Sequence, residues 1–255
     1  MNIHPTAIIH PKAQIGADCE IGPYCTIGEH VVLGRGCRLI SHVFIDGHTT
    51  LGEDNIIYPF ASIGLRTQDL KYKGGVTHTR IGDRNTIREC VTIHSATNEG
   101  DSTVIGSDNN ILANSHVAHD VQMGNHVIIS LSAIAGHVVI EDHALLGGGS
   151  AVHQFCRIGT MAIIGGCTKI VQDVAPYMLV EGNPATTRAV NKVGLERNGV
   201  STETQTALRQ AHKIFFRDGL TATNALARME SELPDLPEVR HLIGFIRRSE
   251  RGITR

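Results

Sequence analysis

From Ile3 onward an aliphatic residue returns at every sixth position: Ile3, Ile9, Ile15, Ile21, Ile27, Leu33, Leu39, Ile45, Leu51, Ile57 and Ile63. A small or β-branched residue tends to precede it by two positions, with polar residues between. The phase returns at Ile81, Ile87 and Ile93 and again at Ile105, Ile111, Val117, Met123 and Ile129. A second series runs through Ile140, Leu146, Val152, Ile158, Ile164 and Ile170. Three hexapeptides that close a triangular turn make a coil of about 18 residues, and stacked coils pair each short strand with its equivalents above and below. The pattern predicts a mainly β chain, a parallel β-helix of hexapeptide type over residues 1–190. Gly often follows the aliphatic position, as at Gly16, Gly22, Gly28, Gly34, Gly52 and Gly64, which predicts a tight turn of positive φ after each strand.

Two interruptions break the period. Residues 65–80 open with Leu65-Arg66-Thr67-Gln68-Asp69-Leu70-Lys71-Tyr72-Lys73-Gly74-Gly75, and residues 95–104 with Ser95-Ala96-Thr97-Asn98-Glu99-Gly100-Asp101. Both are polar, Gly-containing segments expected to be extruded as loops from a rigid prism, where function commonly sits. A third irregularity is smaller: Ile129 to Ile140 spans 11 residues, one short of two full periods. One coil near Leu131 and Ser132 must tighten, which either shifts the residues after it or is absorbed in a turn.

Over residues 191–255 helical signals replace the hexapeptides. Ser201 or Thr202 is placed to cap a helix carrying Ala207, Leu208, Ala211, Ile214 and Phe215. Thr221 is placed to cap a second with Ala225, Leu226 and Met229, ending at Leu233-Pro234, and Pro237-Glu238 opens a third with Val239, Leu242, Ile243 and Ile246. This C-terminal α-helical domain has a formal charge of +3, against −5 for residues 1–190. Its basic residues, Arg209, Lys213, Arg217, Arg247, Arg248 and Arg251, suit either an acidic partner or a solvated helix face.

Composition agrees with a thin, regular core. The 255 residues hold 27 Gly, no Trp, six Phe and four Tyr, so aliphatic and small side chains must fill the interior. The six Cys form no C-x-x-C pair and read as small core residues, Cys19, Cys25, Cys37 and Cys156 falling on the small position of the repeat. A formal charge of −2 argues against a nucleic-acid binder on net balance. The start Met1-Asn2-Ile3-His4-Pro5 lacks the pattern of a secretory leader, and no apolar run is long enough to span a membrane, so the chain is expected to be soluble and cytoplasmic.

Histidine is the informative residue, at 15 of 255. Most, including His4, His10, His30 and His48, fall at surface or turn positions. The segment Asn114-Ser115-His116-Val117-Ala118-His119-Asp120 instead packs two imidazoles and a carboxylate together, and Gly136-His137 and His153-Gln154 come in turn about one coil apart. His119, His137 and His153 can therefore stack along one edge. A neutral imidazole there can deprotonate an alcohol, beside a carboxylate that stabilises the imidazolium, and a backbone N–H such as that of Gly136 can stabilise an oxyanion. No Ser or Cys has an obvious base beside it. Direct acyl transfer to a hydroxyl, zinc-assisted hydrolysis by three histidines and purely structural histidines all remain open at this point.

The motifs narrow that choice. Gln68-Asp69-Leu70-Lys71-Tyr72, Ile81-Gly82-Asp83-Arg84-Asn85, Val91-Thr92-Ile93-His94, His116-Val117-Ala118-His119-Asp120, Ala135-Gly136-His137-Val138, His153-Gln154-Phe155-Cys156, Glu181-Gly182-Asn183 and Arg248-Ser249-Glu250-Arg251-Gly252 resemble the UDP-N-acetylglucosamine 3-O-acyltransferases over essentially the whole chain. The His-Val-Ala-His-Asp and His-Gln-Phe-Cys segments are the specific part, since hexapeptides alone are shared with many acetyltransferases and with carbonic anhydrases. The resemblance implies a left-handed prism, a homotrimer with sites between neighbouring prisms, and transfer of an (R)-3-hydroxyacyl group from acyl carrier protein to the glucosamine 3-hydroxyl of UDP-N-acetylglucosamine. That reaction is the first step of lipid A biosynthesis. No cofactor or metal is implied, the acyl donor being the carrier-protein thioester. By the same resemblance His119 is the general base, Asp120 its partner and Gly136 the oxyanion donor. Asp69, Lys71, His116, His137, His153 and Gln154 contact substrate, Asn191 and Arg197 reach the nucleotide, and Gly166 marks the bottom of the acyl groove, favouring a long chain. Arg247 and Arg248 are the expected carrier-protein docking residues. A 3-amino acceptor and a trimeric zinc carbonic anhydrase on the same scaffold are the alternatives among enzymes, and a non-enzymatic binding platform the alternative outside them. The chain departs from the family pattern at Val193 and Asn198, beside the nucleotide positions, and at Pro184.

Overall fold

The computed structural model describes residues 2–255. Among them the strands form three sheets of eleven, nine and eight strands, with neighbours one coil apart in sequence except for a closing antiparallel hairpin of Met178–Glu181 and Thr186–Val190. Pairing is parallel throughout the prism, and the aliphatic positions lie in register, as in Ile21↔Leu39, Ile27↔Ile45 and Leu33↔Leu51. The chain is a left-handed parallel β-helix followed by helices. The side chain of each regular strand's aliphatic residue points inward, and those from Ile21 to Ile170 are buried in one continuous core. Strands of two residues suffice because each coil adds hydrogen bonds to both neighbours, so stability accumulates along the stack.

The glycines after the strands serve a different purpose from the one predicted. Gly16, Gly22, Gly28, Gly34 and Gly52 do not have positive φ; of the six, Gly64 does. What they lack is room. A side-chain carbon on Gly22 would fall 1.8 Å from the Ile40 carbonyl oxygen, and one on Gly34 would fall 2.4 Å from that of Gly52. Close stacking of successive coils therefore selects Gly at this position. The left-handed backbone falls two residues later, on side chains such as Tyr24, His42, Asp54, Phe60 and Asp120, whose φ lies between 52° and 64°.

Cys19, Cys25, Cys37 and Cys156 are buried free thiols, as predicted. Burial pushes Cys37 and Cys156 up to about 11, which makes them poor nucleophiles at neutral pH. Cys90 and Cys167 correct the prediction: they are exposed, at left-handed corner positions three residues after an aliphatic one rather than at the small interior position.

Strands Ser62–Leu65 and His78–Ile81 bracket the first loop, and Thr92–His94 and Ser102–Ile105 the second. The loops are therefore shorter at their edges than the sequence suggests. The missing residue is absorbed between Ile129 and Ile134, where Leu131 takes φ 44° and stands exposed while Ser132 fills the interior small position. The Ser132 hydroxyl meets the Ser130 carbonyl at 2.8 Å and the Ser150 hydroxyl at 2.9 Å. Pairing on either side is undisturbed: Ile129 pairs with Leu146 and Ile134 with Val152.

The helices are α1 (Lys192–Arg197), α2 (Thr202–His212), α3 (Ala222–Glu232) and α4 (Pro237–Arg247), with a π-helical turn over Lys213–Arg217. Ser201 and Thr221 cap α2 and α3 through their hydroxyls. The apolar residues predicted for the three long helices meet in a second core. Polar contacts fasten that core to the prism: His241 Nε2 lies 2.7 Å from Glu141 Oε2, and the Ser249 hydroxyl donates to Asp173 Oδ2 at 2.7 Å.

Candidate active site

His119 and Asp120 occupy the corner after the strand His116–Val117. Asp120 has φ 60°, and its backbone N–H donates to the Thr103 hydroxyl at 2.8 Å, so the corner is fixed before its side chains act. Asp120 Oδ2 lies 2.8 Å from His119 Nδ1. A carboxylate only accepts, so Nδ1 carries the proton and Nε2 is left with a free lone pair. Asp69 Oδ2, brought over by the first loop, lies 4.0 Å from that Nε2. Thr97, brought by the second loop, adds a hydroxyl 3.0 Å from His119 Nδ1 and a backbone N–H that donates to the Asp120 carboxylate at 3.2 Å.

One coil further on, Gly136 lies directly against the imidazole: a side-chain carbon there would fall 2.4 Å from His119 Nε2. Among the described residues the Gly136 N–H has no hydrogen-bond partner, while the next N–H, of His137, donates to the His119 carbonyl at 3.1 Å. Gly136 thus sits against the His119 imidazole with its own N–H unpaired among the described residues. The His137 ring meets His119 edge-on at 5.2 Å and stacks on Phe155 at 4.7 Å, a second coil along the same corner. His137 Nε2 is 3.6 Å from Asp120 Oδ2.

These groups open into a groove of about 800 Å³. Its floor is the outer face of one sheet, where His116, Ala133, Ala151 and Lys169 succeed one another in register. Small residues at Ala133 and Ala151 leave an apolar trough leading away from His119. Gln68, Asp69, Leu70 and Lys71 form the wall above it, and His153 and Gln154 the far side. The Lys71 N–H donates to Asp69 Oδ1 at 2.9 Å, and this bond is the main reason the Asp69 carboxyl lies below its ordinary range. Burial lowers His116, whose Nδ1 meets the Thr92 hydroxyl at 2.7 Å. His94, edge-on to His116 at 4.9 Å, is lowered to about 4 by burial and stays neutral at physiological pH.

The structure thus brings His119, Asp120, Gly136, Asp69, Lys71, His116, His137, His153 and Gln154 together. It does not bring Asn191 to the groove. That side chain is buried as the N-cap of α1, its Oδ1 accepting from Gly194 N at 2.9 Å and its Nδ2 donating to Met161 O at 2.7 Å. Within one chain its Oδ1 thus caps α1 and its Nδ2 ties α1 to the prism, and the nucleotide contact expected of Asn191, like that of Arg197, would belong to a site between neighbouring prisms. Arg197 is exposed at the end of α1, away from this groove. Gly166 lies at the opposite corner of the sheet, where an added carbon would meet only the Gly148 carbonyl, at 3.2 Å. Arg247, paired with Glu230 at 2.5 Å, and Arg248 both line a separate crevice with Arg157 and Arg251. Arg251 links that crevice to the groove, its guanidinium 3.4 Å from His153 Nδ1.

Possible metal donors also converge, but not as the three histidines expected. Asp69, His119 and His137 offer atoms within 4.8 Å of one another. With Nδ1 held by Asp120, His119 has only Nε2 to offer a metal, the atom a general base needs. Thr97 and Phe155 were missed at the sequence level. Nothing in the second loop's composition marks Thr97, and Phe155 is legible only as the corner residue one coil after His137.

Two sequence profiles match this chain: UDP-N-acetylglucosamine O-acyltransferase, domain 2, over residues 173–254, and bacterial transferase hexapeptide (six repeats) over residues 1–35. Solved structures match it along its length. LpxA from Acinetobacter baumannii is 45% identical, with 99% of each chain covered and a TM-score of 0.95. The UDP-N-acetylglucosamine O-acyltransferase of Moraxella catarrhalis is 42% identical with both chains fully covered and a TM-score of 0.95. That of Bacteroides fragilis is 38% identical, with 99% and 100% covered and a TM-score of 0.96. With the prism, the helices and the His119 corner all in place, the chain belongs to the UDP-N-acetylglucosamine acyltransferase family.

Proposed function

We propose that this chain transfers an (R)-3-hydroxyacyl group from acyl carrier protein directly to the glucosamine 3-hydroxyl of UDP-N-acetylglucosamine, the opening reaction of lipid A biosynthesis. The observation that carries the reading is the 2.8 Å contact between Asp120 Oδ2 and His119 Nδ1, which leaves Nε2 free beside Gly136. Nε2 takes the proton of the 3-hydroxyl as its oxygen attacks the thioester carbonyl carbon. The resulting oxyanion accepts from the Gly136 N–H, and Asp120 stabilises the imidazolium. Collapse breaks the carbon–sulfur bond, and the proton on Nε2 passes to the departing thiolate. Every atom is accounted for without an acyl-enzyme.

Asp69 and Lys71 are assigned to the sugar, which must sit over Nε2, and His116 and His137 flank it. His153 and Gln154 lie where the donor enters. The apolar trough over Ala133 and Ala151 suits the acyl chain, and Gly166 is assigned to its far end. Leu70, fully exposed at the tip of the wall loop, and the open side of the groove support assembly as a homotrimer with the site completed by a neighbour. In that assembly Arg197 is assigned to the diphosphate, which a guanidinium holds by charge-assisted hydrogen bonds. Arg248 is the stronger of the two assigned docking residues for acidic carrier protein, since Arg247 already has a carboxylate partner. Among the described residues no helix is long and apolar enough to cross a membrane, and a cytoplasmic location fits this substrate pair.

The test is to incubate the enzyme with carrier proteins charged with 3-hydroxyacyl chains of several lengths, against 3-hydroxyl and 3-amino UDP-sugars, with mass-spectrometric detection. Ester formation on UDP-N-acetylglucosamine is expected. Exclusive amide formation on the amino sugar, or no transfer to either, would overturn the proposal.

A further inference from the structure

We infer that Thr97 is a positioning residue for the base, the single side chain through which both extruded loops are tied to His119. This deepens the acyl-transfer reading and rests on His119 being the base. Thr97 is 4% exposed and its hydroxyl has three neighbours: His119 Nδ1 at 3.0 Å, Asp69 Oδ2 at 3.5 Å and the Thr67 hydroxyl at 3.5 Å. Proton bookkeeping orients it. His119 Nδ1–H is a donor, shared between Asp120 Oδ2 and Thr97 Oγ1, so the Thr97 hydroxyl accepts there and its own proton points to the first loop, where Asp69 can only accept. Meanwhile the Thr97 backbone N–H donates to both Asp120 oxygens, at 3.3 and 3.2 Å.

One residue therefore does three things. It adds a second acceptor to the Nδ1 proton, which holds the tautomer that leaves Nε2 basic. It fixes the carboxylate that stabilises the imidazolium. It also sets Asp69, 4.0 Å from Nε2, relative to the base. Without the hydroxyl, the imidazole keeps Asp120 but is free to rotate about it, and Asp69 loses one of its tethers. The Asp69 N–H still bonds the Thr67 hydroxyl at 3.0 Å, so the first loop itself remains in place.

Thr97→Val removes the hydroxyl while keeping its volume and the backbone N–H. With unchanged folding and thermal stability, kcat is expected to fall about tenfold, the scale of one lost hydrogen bond to a group that becomes charged. The acidic limb of kcat/KM should move to lower pH, because the imidazolium has lost an acceptor. Thr97→Ser should restore both. A Thr97→Val enzyme with kcat within twofold of wild type and an unmoved acidic limb would overturn the inference. So would a fall in kcat shared by Thr97→Ser with an unmoved limb, since that pattern reports packing alone. His119→Gln run in parallel separates the two readings: if it transfers normally the base assignment fails, whereas an inactive His119→Gln beside a normal Thr97→Val removes only the role of Thr97.

Discussion

Gly136 and His119 are packed so closely that a side-chain carbon on the glycine would fall 2.2 Å from Cε1 of the imidazole. The Gly136 φ is not positive, so this glycine is there for space and not for backbone freedom. Gly136→Ala keeps the backbone N–H assigned to the oxyanion but must push aside His119, the proposed base. A loss of at least about a hundredfold in kcat is expected, the size of a displaced catalytic group. Steady-state rates on a correctly folded variant check this, and a rate within twofold of wild type would show that the base does not need its observed position.

Acid should weaken the fold through His94. Its pKa in the folded chain is lowered to about 4, against an ordinary 6.5, because burial disfavours the charged ring. Below pH 6.5 the unfolded chain binds a proton that the folded chain refuses, so stability falls as pH drops from about 6.5 to about 4 and levels off beneath. Thermal melts of wild type and His94→Gln across that window measure the effect, and the variant should show the shallower decline. Parallel curves would mean that other groups carry the acid sensitivity.

Gly22→Ala tests the stacking explanation of the glycine periodicity. The added carbon would fall 1.8 Å from a backbone oxygen of the next coil, and backbone cannot swing away. Destabilisation of about 3 kcal/mol is expected, at the upper end for overpacking, and denaturant unfolding reads it. If Gly22 were instead serving a left-handed turn, nearby left-handed residues without glycine would be unexplained.

The six-residue period made the faces, the core and the loops legible because each aliphatic residue repeats one physical task, filling the prism. Corner chemistry was less legible, since it depends on the coil above. Gly22 looks like a turn glycine until Ile40 is placed over it. Cys90 and Cys167 share a residue type with the core cysteines but fall at a different step of the repeat. Asn191 was read through the family resemblance alone, and its place as the N-cap of α1 shows only in the fold, because a helix of six residues gives no periodic sign of where it starts. His119, Asp120 and Gly136 were legible through family motifs and one-coil spacing. Thr97 was not, because its contact with His119 exists only after the second loop folds back on the prism.

Charge at the end of α4 should act on the carrier protein unequally. Arg247 faces Glu230, while Arg248 has no carboxylate partner among the described residues. Arg248→Glu is therefore expected to raise KM for acyl carrier protein about tenfold at low salt, with the difference shrinking as salt rises, and Arg247→Glu to do less. Titrations at two ionic strengths check the order. Equal affinities for wild type and Arg248→Glu at both would place the docking surface elsewhere.

The proposed reaction passes the proton of the sugar hydroxyl to His119 Nε2 in one direct transfer. It is tested most directly by incubating purified His119→Gln with 3-hydroxyacyl carrier protein and UDP-N-acetylglucosamine and tracking product by mass spectrometry. A folded variant with no transfer above the uncatalysed background is predicted, and transfer at near wild-type rate would contradict the claim.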